Sequence, residues 1–129
     1  MTTANLIIQD LDRSDADVTR ILDRLDAAER EVPGTKRRSP RNPLRGTAML
    51  VTLRHTCPFP VTYRVRLRNV SQGGVAFLAP RPMLPGIPLK IDLPLGPSLE
   101  TVEKSAIVRH SRHIERLLYE IGVEFETDS

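Results

Sequence analysis

Arg37-Arg38-Ser39-Pro40-Arg41 sets two guanidinium groups four residues apart with a third beside the first. Guanidinium forks take phosphates, and the O6/N7 edge of guanine, in a bidentate geometry that a lysine point charge does not reproduce. Further along, Asn69-Val70-Ser71-Gln72-Gly73-Gly74 makes an N-x-S-x-x-G pattern. The Asn carbonyl oxygen can accept from the N1–H and N2–H₂ donors of guanine, and the Ser hydroxyl can donate or accept. Two glycines permit φ > 0 and a close approach of backbone.

Each cluster alone has a plainer reading. A basic run ahead of a domain is ordinarily a solvated linker, and Pro40 disfavours helix, so Arg37 and Arg41 are expected on an extended segment. An Asn-to-Gly-Gly turn serves hairpin geometry with no ligand at all.

The elements that must position these clusters are legible in the periodicity. Ser14 reads as an N-cap with the Asp17 carboxylate three residues on, a capping box. Val18, Ile21, Leu22, Leu25 and Ala28 then form one apolar stripe on a helix that Pro33-Gly34 ends. That stripe is expected to pack on the chain's own domain, with a homodimer seam as the alternative. From Arg45 onward the period becomes two. Val61, Tyr63, Val65 and Leu67 alternate with Thr62, Arg64, Arg66 and Arg68; Leu117, Tyr119, Ile121, Val123 and Phe125 alternate with Leu118, Glu120, Gly122, Glu124 and Glu126. The second strand is expected to show a largely polar outer face. Weaker strands are expected over 46–54, 75–79, 87–93 and 101–109. Turns are expected at 56–58, 72–74, 80–86, 94–97 and 111–115. Short strands at such intervals imply a small antiparallel barrel or sandwich.

Bulk properties agree with one small domain. The 129 residues include 11 prolines, all between Pro33 and Pro97, and no tryptophan, so the core must rest on Val, Leu and Ile. The one cysteine, Cys57, forms no internal disulfide, which fits a reducing cytosol. The start of the chain lacks a basic n-region and its apolar run spans only Leu6 to Ile8, so no signal peptide is expected, and no apolar run is long enough to span a bilayer. A cytoplasmic protein is the expectation. The net charge of +3 conceals segregation: no acidic residue lies between Glu31 and Asp92, whereas Lys36, Arg37, Arg38, Arg41, Arg45, Arg54, Arg64, Arg66, Arg68, Arg81 and Lys90 do. Such a block suggests an anionic partner.

Jointly, R-x-x-x-R followed by N-x-S-x-x-G-G, an apolar strand after the double glycine, and a closing Ile121-Gly122-Val123-Glu124-Phe125 resemble the PilZ domain family over nearly all of 36–125. The resemblance implies a mainly β fold, a six-stranded antiparallel β-barrel, here with an N-terminal amphipathic helix. It implies a bacterial receptor for the second messenger cyclic di-GMP that is not an enzyme and needs no cofactor. Carried over, the ligand residues are Arg37, Arg38, Arg41, Asn69, Ser71, Gly73 and Gly74. Lys36 favours an intercalated ligand pair over a single nucleotide. The expected organisation is a flexible N-terminus over 1–13, an amphipathic helix over 14–32, a linker with the arginine motif over 33–45, and the barrel over 46–126. Ligand binding would rearrange the N-terminal segment and relay the signal to a downstream protein effector.

Other chemistries fare worse. His110-x-x-His113 and His55-x-Cys57 supply no compact four-ligand metal set, although Arg109 or His110 could border a ligand. Ser71 lacks a nucleophile elbow, and Glu124 and Glu126 read as solvated. A nucleic-acid-binding barrel would want aromatic platforms, but Phe59, Tyr63, Phe77, Tyr119 and Phe125 mostly fall at core positions. A PilZ adaptor acting through protein contacts alone is the remaining alternative.

Overall fold

The computed structural model describes residues 7–11, 13–30, 45–53, 61–94 and 100–126. They form β1 (Ile7–Asp10), α1 (Asp15–Arg30), β2 (Ala48–Leu53), β3 (Val61–Val70), β4 (Gly74–Ala79), β5 (Pro88–Pro94), β6 (Thr101–Glu115) and β7 (Leu118–Phe125). Ladders run β3-β2-β5-β6-β7-β4, and pairing of β4 back onto β3 closes a six-stranded antiparallel barrel. Closure removes the exposed edges that an open sheet of this size would carry. Inside it, Met49, Val51, Val65, Leu67, Phe77, Ile91, Val108 and Ile121 interdigitate, each at most 3% exposed. Tyr63 is also buried, while Tyr119 and Phe125 pack against the same core. Four of the five aromatics are therefore wall or filling of the barrel, and Phe59 lies outside the described residues.

The ends of two elements add to the expected organisation. Within the N-terminal stretch over 1–13, Ile7–Asp10 pairs parallel with the first half of β3. That edge of β3 is open there because β4 pairs only with Arg66–Val70. A turn was expected over 111–115, but β6 runs on to Glu115 and the chain reverses at Arg116-Leu117, with Arg116 at φ 39°. The register shifts at Arg109 and Ile114, and these bulges break the period-two pattern without ending the pairing. Leu117, expected to point inward, is 74% exposed at this turn.

Helix α1 begins as the sequence implies: the Ser14 hydroxyl accepts from the Asp17 amide at 3.1 Å. The Asp17 carboxylate, however, receives Arg13 at 2.7 Å and Arg20 at 2.6 Å. The apolar stripe packs on the helix's own barrel. Val18, Ile21 and Leu22 bury against Leu11, Leu78 and Leu118, flanked by Leu25 and Ile114, whereas Ala28 stays exposed. Leu78 and Leu118 point out of the barrel, so part of its outer face is a second core; each such side chain contributes about 1.5–3 kcal/mol when fully buried. The outer face of β7, expected to be largely polar, is thus covered at Leu118 and at Glu120, which is 4% exposed.

Candidate functional site

The N-x-S-x-x-G residues form the β3–β4 turn. The Ser71 amide donates to the Gly74 carbonyl at 2.9 Å, and the Ser71 hydroxyl donates to the same oxygen at 3.3 Å, closing the turn on itself. The Phe125 amide donates to the Gly73 carbonyl at 2.9 Å and fastens the turn to β7. Gly74 is required by close approach: a Cβ there would stand 2.1 Å from the Val123 carbonyl oxygen. Neither Gly73 nor Gly74 has φ > 0, contrary to the conformational reason given above for the pair, and around Gly73 there is open space. Ser71, Gln72 and Gly73 are exposed.

Asn69 reaches the outer face through a defect in the ladder. Arg66 pairs with Leu78 and Leu67 with Phe77, but Asn69 pairs with Ala76, leaving Arg68 as the extra residue of a bulge. Side-chain direction alternates along a strand, so one extra residue exchanges inside for outside. Val70 consequently joins the core, while Asn69 shares the outer face with Ala76. The register continues from Ala76 to Gly122 and from Gly122 to His110. His110 follows a second arginine bulge, at Arg109, which turns it outward in the same way.

Asn69, Ala76, Gly122 and His110 therefore form one row across β3, β4, β7 and β6. Three inter-strand spacings of about 4.8 Å separate its ends by roughly 14 Å of backbone. At the middle of the row the only side chain of its own is that of Ala76. The His110 imidazole lies across Gly122, where a Cβ would meet its Cε1 at 2.0 Å. The result is a row with Asn69 at one end, the small Ala76 beside it and the His110 ring over Gly122 at the other end. Such a surface suits a planar group with donors on its edge.

The row next to it is electrostatically full. Glu120, opposite Leu78, is held by Arg68 and Arg112. Burial pushes the Glu120 carboxyl up, but the two guanidiniums outweigh that and keep it below the ordinary carboxylate range. Arg68 also reaches Asp26 of α1 at 3.3 Å, and Asp26 receives Arg45 at 2.9 Å. Arg45 pairs with Asp23 at 2.8 Å, Arg66 with Asp15 at 2.5 Å and Arg64 with Asp10 at 3.7 Å. Arg13, Arg20 and Arg24 converge on Glu115 of β6.

These pairs revise the meaning of the basic block. Of its six described members, Arg45, Arg64, Arg66, Arg68 and Lys90 are paired with carboxylates of the flanking acidic segments, Lys90 with Glu103. Much of the anionic partner that the block implies is the chain's own helix. Only Arg81 of the six, exposed in the β4–β5 connection, has no such pair among the described residues.

The profile of the PilZ domain family matches residues 35–129. The chain belongs to the PilZ domain family. No curated protein and no solved structure matches it. PilZ domains are binding and receptor modules, and the family is that of cyclic di-GMP receptors. The matched stretch of this PilZ domain includes both 37–41 and 69–74. Of the seven residues expected at the site, Asn69, Ser71, Gly73 and Gly74 share the β3–β4 turn; Arg37, Arg38 and Arg41 lie outside the described residues, as do Lys36, His55 and Cys57. Sequence reasoning did not find Ala76 and Gly122 as the middle of the row on the PilZ outer face. Their small size was the available signal, but only the register aligns them. Among the described residues no group of His, Cys, Asp or Glu could hold a metal, and no helix is long and apolar enough to cross a membrane.

Proposed function

We propose that this chain is a receptor that binds cyclic di-GMP on the outer face of its barrel. One guanine lies on the Asn69–Ala76–Gly122–His110 row, its donors directed to Asn69 and Ser71, with the imidazole of His110 against its face. Arg37 and Arg41 take the phosphates and the guanine O6/N7 edge, with Arg38 beside them. The observation that carries this reading is the bulge at Arg68: it turns Asn69 out of the core, next to the small Ala76 and one row-position from the His110 ring over Gly122.

The covalent path supports the arginines' part. The chain re-enters the described residues at Arg45, whose guanidinium shares Asp26 with Arg68, the neighbour of Asn69. Three residues lie between Arg41 and Arg45, and the four steps that join them span at most about 14 Å. That reach is compatible with Arg41 serving a ligand on the row. The same contacts suggest the relay. Arg45 is bound to Asp23 and Asp26 of α1, so a ligand that pulls on 37–41 also pulls on the last turns of the helix. Differential affinity for the two arrangements shifts the population toward a surface read by a protein effector.

Isothermal titration with cyclic di-GMP at moderate salt tests the reading. Wild type should bind, and Arg37→Ala and Arg41→Ala should each weaken binding by about tenfold to a hundredfold, as expected for charged hydrogen bonds. No heat with wild type would instead favour an adaptor acting through protein contacts alone. A short single-stranded oligonucleotide should fail to displace the ligand at physiological salt.

A further inference from the structure

Two arginines on the barrel occupy equivalent positions, and their partners differ. Arg68 and Arg109 are each the extra residue of a bulge, and each immediately precedes one end of the Asn69–His110 row. Bulges redirect the side chain that they carry. Arg68 is 7% exposed and is held by the buried Glu120, with Asp26 as a further partner. It is held within the fold by these carboxylates. Arg109 is 58% exposed and its Nε donates to Glu124 Oε1 at 2.5 Å, with Glu124 55% exposed. An exposed pair of this kind contributes little to stability and exchanges partners readily.

The position of the exposed pair is informative. Glu124 is the register partner of Gly74, so the Arg109 guanidinium rests beside the β3–β4 turn, one row from Ala76 and Gly122. A nucleotide whose base lies against Asn69 and Ser71 carries its phosphate one ribose away, within the sweep of that side chain. We infer that Arg109 is a phosphate-binding arginine supplied by the barrel itself, and that Glu124 competes with the ligand phosphate for it and so sets the concentration at which the receptor fills. This rests on the cyclic di-GMP reading above. Glu124 acts as an internal competing anion: it holds the guanidinium near the turn and yields it to a ligand phosphodiester, whose two non-bridging oxygens also match the guanidinium fork and which the bound base holds in place.

A double-mutant cycle by isothermal titration with cyclic di-GMP, at one fixed ionic strength, tests this. Arg109→Ala should weaken binding by about tenfold to a hundredfold. Glu124→Gln should tighten it by about two- to fivefold, the value of an exposed pair. In the Arg109→Ala background, Glu124→Gln should have no further effect, because its competition runs through that guanidinium. Thermal unfolding should leave all three variants close to wild type, since both side chains are exposed. Wild-type binding with Arg109→Ala within twofold of it overturns this inference and leaves the receptor reading standing. Equal tightening by Glu124→Gln in both backgrounds overturns Glu124 as a competitor for Arg109. Absence of wild-type binding overturns both.

Discussion

The outer face of this barrel is divided between two uses. Under α1, Leu78 and Leu118 are buried and the surrounding arginines are closed into pairs with Asp15, Asp23, Asp26 and Glu120. One row further along the same strands, only the small Ala76 and the His110 ring over Gly122 stand on the outer face, and the Arg109–Glu124 pair lies in solvent. The two halves share strands β4 and β7, so secondary structure does not separate them. Side-chain size and the fate of the arginines do. Large apolar residues and the buried Glu120 make the first half a second core; small residues and the exposed Arg109–Glu124 pair mark the second as the face proposed to take the ligand.

Substitutions that break this division should differ in kind as well as in size. The largest effect is expected on the covered half. Glu120→Ala leaves Arg68 buried without its main carboxylate and should cost about 3–5 kcal/mol in denaturant unfolding, with α1 loosened first. Hydrogen exchange should then report faster opening of the α1 amides than of β5. On the open half, Gly122→Val should displace the His110 ring, which would stand in the way of any Cβ. Affinity for cyclic di-GMP should fall about tenfold, corresponding to about 1.4 kcal/mol, while the helical circular dichroism is unchanged. An equal loss of helix in both variants would mean that the two halves are not separate.

The smallest effect is expected from acid. Arg13, with Arg20, holds Asp17 below the usual carboxylate range, and Arg13, with Arg24, does the same for Glu115. Glu120 is lowered as well, its arginines outweighing burial. A folded-state pKa below the unfolded one contributes stability that is complete above the unfolded value, about 4 for these groups, and is lost as pH falls through the folded value. The midpoint of thermal unfolding should therefore be insensitive to these groups above about pH 5 and fall below about pH 4. A midpoint that rises on acidification would contradict the pairing.

Much of the frame was legible in the sequence because it follows from period. Strands β3 and β7, the Ser14 cap and the Val18-Ile21-Leu22 stripe are local patterns, and the Asn69 to Gly74 turn carries its own chemistry. What escaped depends on distant pairing. The arginines of β3 read as an unmatched block because sequence separation from Asp15 and Asp26 hides their proximity. A single extra residue at Arg68 or Arg109 leaves no mark in composition, yet it decides that Asn69 and His110 face outward. Gly122 reads as a gap in an alternating strand until the register lays His110 across it.

Strand β3 shares one edge between two neighbours, β1 along its first half and β4 along its second. A fragment starting at residue 35, where the family match starts, would keep the barrel ladder but bare that first half-edge and uncover Leu78 and Leu118 together. An unpaired strand edge beside exposed apolar surface is a template for aggregation. The stretch that marks kinship in this chain is therefore shorter than the stretch that can stand alone.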